Sequence, residues 1–390
     1  MRNYVEALIV EQVNRIMTLK GFISLPLQSS YLGQLSERCN SILDSQLTIL
    51  NELRKQLAYT NCDLRQVHRK VRGIIKDVSV VESYGISSLR FQTSEVDFLN
   101  GLIFDISKGI SLPLIPPSVS CLSTEYFYFE PVTRVIYVPQ AEPDFLLHLP
   151  DLYHEIGHYV LFSSIDGYPV EKLQIIATAM KEIFSTVTQH FNDLIEEANL
   201  NPGPKEIPMI LNRIHSNWKS WLHEFLCDLF AVFTLGPAYV WSHLHLVAKT
   251  RDNVYQCHWL SAEDHPADEA RMTLMLHGLH LTGFGNDAEE IKNKWQQLTR
   301  TLDSPDAYYQ FAYPDKLLNI LTEKFLAALK TAGFTIITFN QLNSSIDENI
   351  SVVLNNAWIA FWSLTPEEYR KWEKNQIELL KKRLQLPQKT

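Results

Sequence analysis

The chain has 390 residues, 46% of them hydrophobic and 20% charged, with a formal charge of −9 at pH 7. This is globular composition with enough apolar material for a substantial core, so neither disulfides nor a metal is needed merely to fold. The acidic balance excludes nucleic acid as a main partner, because no broad basic stripe is available to neutralise phosphates. The short clusters Arg69, Lys70, Arg72 and Lys381, Lys382, Arg383 read as solvated helix faces.

The first 80 residues read as almost wholly helical. Leu43, Leu50, Leu57, Leu64, Val71 and Val78 recur every seven residues, with Leu53, Val67 and Ile74 interleaved and Thr60 as a polar interruption. Such a run describes one long helix with a narrow apolar seam, which needs a partner. That partner is either another helix of the same chain, such as residues 1–20, or a second molecule. The N-terminus carries Glu6 and Glu11 and has no apolar stretch long enough for a signal sequence. Nowhere do about 18 uncharged apolar residues run together, so no membrane insertion is expected. Cys39, Cys62, Cys121, Cys227 and Cys257 are scattered, odd in number and free of C-x-x-C spacing. That usage fits a reducing compartment, and a cytoplasmic location is expected.

Residues 80–120 are mixed and end in the breaker-rich SLPLIPPSVS. EYFYFEPVTRVIYVPQ follows, two short aromatic and β-branched runs around Pro131, and reads as a hairpin. Without βαβ alternation a parallel sheet is not expected. Helices are then predicted from after Pro143 to about Ser164, from about Val170 to Ala198, and from about Pro208 to Leu235. NPGPKEIP and Gly236-Pro237 act as breaks. The remainder is mostly helical, with a short strand suggested at FTIITF, Phe334 to Phe339. Trp218, Trp221, Trp241, Trp259, Trp358 and Trp362 read as core residues at helical spacing. The expected fold class is mainly α with a small antiparallel sheet.

The chemistry is concentrated in HEIGH. His154 and His158 are four residues apart, one turn along one helix face, so two imidazole nitrogens can grip one tetrahedral ion. Glu155 lies between them near an open coordination position, where a carboxylate can take a proton from water and deliver it to a leaving amine. Gly157, inside an apolar helix, costs about 1 kcal/mol against Ala and implies close approach by another element. A third ligand six residues beyond His158 is excluded, because Ser164 stands there. The best candidate is Glu224 in WLHEFLCDLFAVF, one turn before Asp228 on an apolar helix where carboxylates need a cation or strong donors. Asp228 suits the free N–H of a ligating histidine. His223 is adjacent but points about 100° away from Glu224, and the glutamate is preferred. In EDHPADEAR, His265 is a candidate donor to a developing oxyanion. Arg271 either orients it or pairs with a carboxylate such as Asp228.

HEIGH, EFLCD and HPADEAR, in this order over about Tyr126 to Leu279, resemble the gluzincin zinc metallopeptidases, in particular the CAAX prenyl protease group and its soluble relatives. The resemblance implies one zinc ion per chain on His154, His158 and Glu224, with Glu155 as general base. It further implies Asp228 behind a ligating histidine and His265 at the transition state, with strand VIYVP as the edge that receives an extended substrate by strand addition. Membrane-embedded members carry transmembrane helices that this chain lacks, so activity on prenylated membrane proteins is not carried over. The expected organisation is a heptad-bearing helical region at 1–80, a zincin-like catalytic core at 81–280 and a helical region at 281–390. The expected function is zinc-dependent endopeptidase action on a protein or peptide, latent or not until a partner or ligand opens the site. The alternative is a non-catalytic interaction or regulatory protein that assembles with a regulatory partner or as a homo-oligomer through its N-terminal helix.

Overall fold

A computed structural model describes residues 2–24, 30–59, 62–124, 126–166, 170–200, 206–257, 265–300, 304–305, 308–344 and 349–385. Thr60 and Trp259 lie outside the described residues. Among the described residues the protein is mainly helical with one three-stranded sheet. Among the described residues no helix is long and apolar enough to cross a membrane, and all five cysteines are free. Contacts group the chain into two compact units. One comprises 1–103, 117–143 and 384–390; the other comprises 104–116 and 144–383. This grouping differs from the linear division at residues 80 and 280, because chain segments distant in sequence return to each core.

In the first unit, α1 (Arg2–Ile23), α2 (Gly33–Leu57) and α3 (Leu64–Val80) pack on one another. The heptad run is not one long helix. Asp63 caps a new one, its carboxylate accepting from Arg65 N at 2.9 Å and Gln66 N at 3.1 Å. The break leaves both halves of the seam facing inward. Leu43, Leu50, Leu53 and Leu57 of α2 and Val67, Val71, Ile74 and Val78 of α3 are buried in one core with Val5, Ile9, Ile16 and Leu19 of α1. The partner of the seam is therefore found within the chain.

A π-helical segment (Val81–Ile86) leads through α4 (Ser87–Arg90) into α5 (Ser94–Gly109). The sheet has β1 (Ser118–Ser123), β2 (Tyr128–Glu130) and β3 (Val135–Pro139) in the order β1-β3-β2. The hairpin at Pro131 is present, and Glu130 fixes its turn by accepting from Val132 N at 3.1 Å and Thr133 N at 2.7 Å. The expected antiparallel sheet is instead mixed, because β3 inserts between β2 and a parallel β1. The SVS at the end of the breaker-rich stretch supplies β1, and Asn100 bonds the Val119 backbone with both ends of its amide. VIYVP is thus the central strand, hydrogen-bonded on both sides, and cannot be the edge that receives a substrate.

The second unit is built on α6 (Asp151–Ile165), α7 (Glu171–Leu200) and α8 (Ile207–Leu235), which pack against each other. α9 (Pro237–Thr250), α10 (Asp268–Leu281), α11 (Gly285–Thr299), α12 (Tyr309–Ala312) and α13 (Asp315–Thr331) surround them. Between α8 and α9 the chain turns at Gly236, whose φ of 89° suits glycine. α14 (Phe339–Ser344), α15 (Ile350–Ser363) and α16 (Pro366–Gln385) complete the unit. The strand expected at Phe334 to Phe339 does not form. Among the described residues, 334–338 pair with no strand and Phe339 already opens a helix; the stretch bonds singly to loop and helix-end carbonyls, Thr335 N to Ile110 O and Ile337 N to Phe233 O. Trp218, Trp221, Trp241 and Trp358 are buried as expected, whereas Trp362 is 43% exposed.

Candidate metal centre

α6 is buried on nearly every side, which its sequence permits because Leu152, Tyr153, Ile156, Tyr159, Val160 and Leu161 surround the polar residues of HEIGH. α8 is apolar over the same depth, from Trp218 to Leu235. The two helices meet at Gly157. A methyl group there would stand 3.1 Å from Cys227 Cα and 3.3 Å from its Cβ, so any side chain would push the helices apart by a few tenths of an ångström. Gly157 sits between the two motif histidines, and Cys227 sits between Glu224 and Asp228. The closest approach of the helices is therefore also where the polar side chains meet.

There, His154, His158 and Glu224 offer ligand atoms that all lie within 4.8 Å of one another. The two Nε2 atoms are 3.1 Å apart, His158 Nε2 is 3.4 Å from Glu224 Oε1, and His154 Nε2 is 3.5 Å from Glu224 Oε2. Donors at corners of a tetrahedron, each roughly 2.0–2.1 Å from its centre, stand roughly 3.3–3.4 Å apart. The observed spacings bracket that value. Two imidazoles and a carboxylate are also a donor set that suits zinc, so the residues fit the ion. His223 is not part of the group and its side chain is half-buried beside it.

The charges behind the donors are arranged to orient them. Asp228 is fully buried, and its Oδ1 lies 3.0 Å from His154 Nδ1. Arg271 from α10 donates to it twice, Nε to Oδ2 at 2.8 Å and Nη2 to Oδ1 at 2.7 Å. Of the two roles considered for Arg271, pairing with Asp228 is the one observed. Burial raises the Asp228 carboxyl pKa, but the Arg271 charge and hydrogen bonds and the contact with His154 hold it well below the carboxylate range. Burial likewise opposes charge on His154, yet Asp228 and Glu224 outweigh it and lift the imidazole to about 10. His158 goes the other way, to about 4, because burial dominates and Glu224 only partly offsets it. Glu224 stays ionised: burial is overcome by His158, His154 and Arg271.

Glu155 is buried on the same turn as His154. His265, just ahead of α10, places Nε2 3.7 Å from Glu224 Oε2 with 59% of its side chain exposed. His154, His158, Glu224, Asp228 and Arg271 are thus linked in turn by contacts at bonding or ion-pair distance, and His265 approaches Glu224 from the solvent side.

One neighbour escaped the sequence reading. Tyr239 of α9 donates its hydroxyl to Asp228 Oδ1 at 2.5 Å, and the same oxygen is 2.8 Å from His154 Nδ1. Nothing in GPAYVW marks that tyrosine, because its role depends on the turn at Gly236 folding α9 back over α8. Compared with known proteins, the chain matches no family model, no curated protein and no solved structure.

Proposed function

We propose that this chain is a zinc-dependent endopeptidase with a zincin-like, gluzincin-type core, acting on a protein or peptide in a reducing compartment such as the cytoplasm. The observation that carries the proposal is the convergence of His154, His158 and Glu224 at tetrahedral spacing, with Asp228 behind His154 and Glu155 next to His154 on the same helix. When bound, zinc lowers the pKa of a water toward neutrality and polarises the scissile carbonyl. Glu155 accepts the proton that water gives up as its oxygen bonds to the carbonyl carbon, and returns it to the nitrogen as the C–N bond breaks. His265, exposed and close to Glu224, can direct an N–H at the carbonyl oxygen as it gains charge. Asp228 and Arg271 hold the His154 ring.

A non-catalytic role through the heptad segment is the weaker reading, because the seam that would join copies is already covered by α1. The test is Glu155→Gln. The variant should keep one zinc per chain by elemental analysis and lose cleavage of an unfolded protein by about 10²–10⁴-fold. Unchanged cleavage sinks the mechanism. New N-termini in cells expressing wild type but not the variant would identify the substrate.

A further inference from the structure

We infer that Tyr239 is a positioning residue of the metal centre, acting through Asp228 to fix the ring of His154. The inference rests on the metal-binding part of the proposed function and adds a residue to it. Tyr239 is buried, and its ring stacks on that of His154 at 5.8 Å between centroids and 20° between planes. Its hydroxyl has a single proton, and two partners lie within reach: Asp228 Oδ1 at 2.5 Å and His154 Nδ1 at 2.8 Å. Asp228 is an ionised carboxylate held by Arg271, so it can only accept. The tyrosine proton therefore goes to Asp228. The phenolic oxygen then faces His154 with its lone pairs and, with Asp228 Oδ1, makes two acceptors around Nδ1. The ring must carry its proton on Nδ1 and turn Nε2 toward His158 and Glu224.

The fold invests in this placement. α9 reaches Asp228 only because the chain reverses at Gly236, where an added Cβ would meet Phe284 at 3.3 Å and Ile337 at 3.4 Å. Asn355 of α15 clamps the reversal, its amide donating to Leu235 O at 2.9 Å and its oxygen accepting from Ala238 N at 3.0 Å. Those bonds lie one residue before Gly236 and one residue before Tyr239. A tyrosine present only to fill space needs no hydroxyl there, and burying one without partners is costly.

The test is Tyr239→Phe, which keeps the stacked ring and removes only the oxygen. Zinc affinity is measured by chelator competition in wild type, Tyr239→Phe, Asp228→Asn and the double variant, with circular dichroism to verify folding. The expected result is a zinc Kd weakened about ten-fold by Tyr239→Phe alone. In the Asp228→Asn background the same change should have a clearly smaller effect, because no carboxylate is left to draw the hydroxyl proton away from Nδ1. A wild-type Kd for Tyr239→Phe, or equal fold-changes in both backgrounds, overturns the inference. Nitrogen NMR of zinc-loaded wild type gives a decision that needs no variant: His154 must bind through Nε2 and carry its proton on Nδ1, and the reverse assignment also overturns it. Zinc binding with these effects but no peptide cleavage would refute the peptidase reading and leave the inference standing.

Discussion

Replacing Gly157 with Ala sets two known effects against each other at the point where α6 and α8 touch. In an unobstructed helix the change stabilises by about 1 kcal/mol, since alanine is the better helix former. Here the new methyl would lie 3.1 Å from Cys227 Cα, 3.3 Å from Cβ and 3.4 Å from the carbonyl oxygen. Carbon pairs prefer roughly 3.5–4.0 Å, so the helices must part by roughly half an ångström. The obstruction is the backbone and Cβ of Cys227 in the buried part of α8, with no flexible side chain to swing aside. Overpacking of this kind costs roughly 1–3 kcal/mol, which leaves a net loss of roughly 0–2 kcal/mol. The same displacement moves Glu224 away from both imidazoles, and catalytic constellations tolerate only about 0.5 Å. Urea unfolding with and without zinc, and chelator competition for zinc, read the two consequences separately. Expected are lower stability and zinc binding weakened about ten-fold or more. A variant about 1 kcal/mol more stable than wild type, with unchanged zinc affinity, would refute the close-approach argument.

Removal of Glu224 as Ala should leave folded protein with less than one zinc per chain, and a full complement in elemental analysis rules it out as a ligand. Arg271→Met strands the Asp228 charge in the core and should cost about 3–5 kcal/mol in urea unfolding; a loss under about 1 kcal/mol would mean that Asp228 does not depend on Arg271. His243 supplies a pH dependence. Burial first, then the nearby Arg271 charge, lower its pKa from 6.5 to about 4, with Asp268 at 3.7 Å pulling the other way. Between those values the unfolded chain takes up a proton that the folded chain refuses. The contribution is intact above pH 6.5 and disappears as pH falls toward 4, a loss on the order of 3 kcal/mol. His243→Gln should flatten the fall in stability between pH 7 and pH 5, and an unaltered slope would remove His243 as its source.

Features carried by short-range spacing were legible in the sequence. His154 and His158 share a helix face because four residues make about one turn, and NPGPKEIP and Gly236-Pro237 sit where α7 ends and where α8 begins and ends, whereas α6 starts only at Asp151, well after Pro143. The buried character of α8 could be read from its run of aromatic and aliphatic residues. Gly157 signalled a close neighbour, though not which one.

What needed the tertiary structure was every relation between elements. The heptad continued in register across the α2–α3 break, and periodicity cannot distinguish one long helix from two short ones whose apolar faces turn to the same core. Phe334 to Phe339 has strand residues but no strand beside it, and VIYVP has a partner on each side. A strand is defined by its neighbours, which local composition does not name. Helical periodicity alone makes one helix present two imidazoles and another two carboxylates four residues apart. Only packing decided that Glu224 meets both imidazoles while Asp228, joined by Arg271 and Tyr239, stands behind one. Hydrogen bonds and ion pairs act over about 3 Å, and side chains as far apart in the chain as 154 and 271 come within that distance only once the helices have docked.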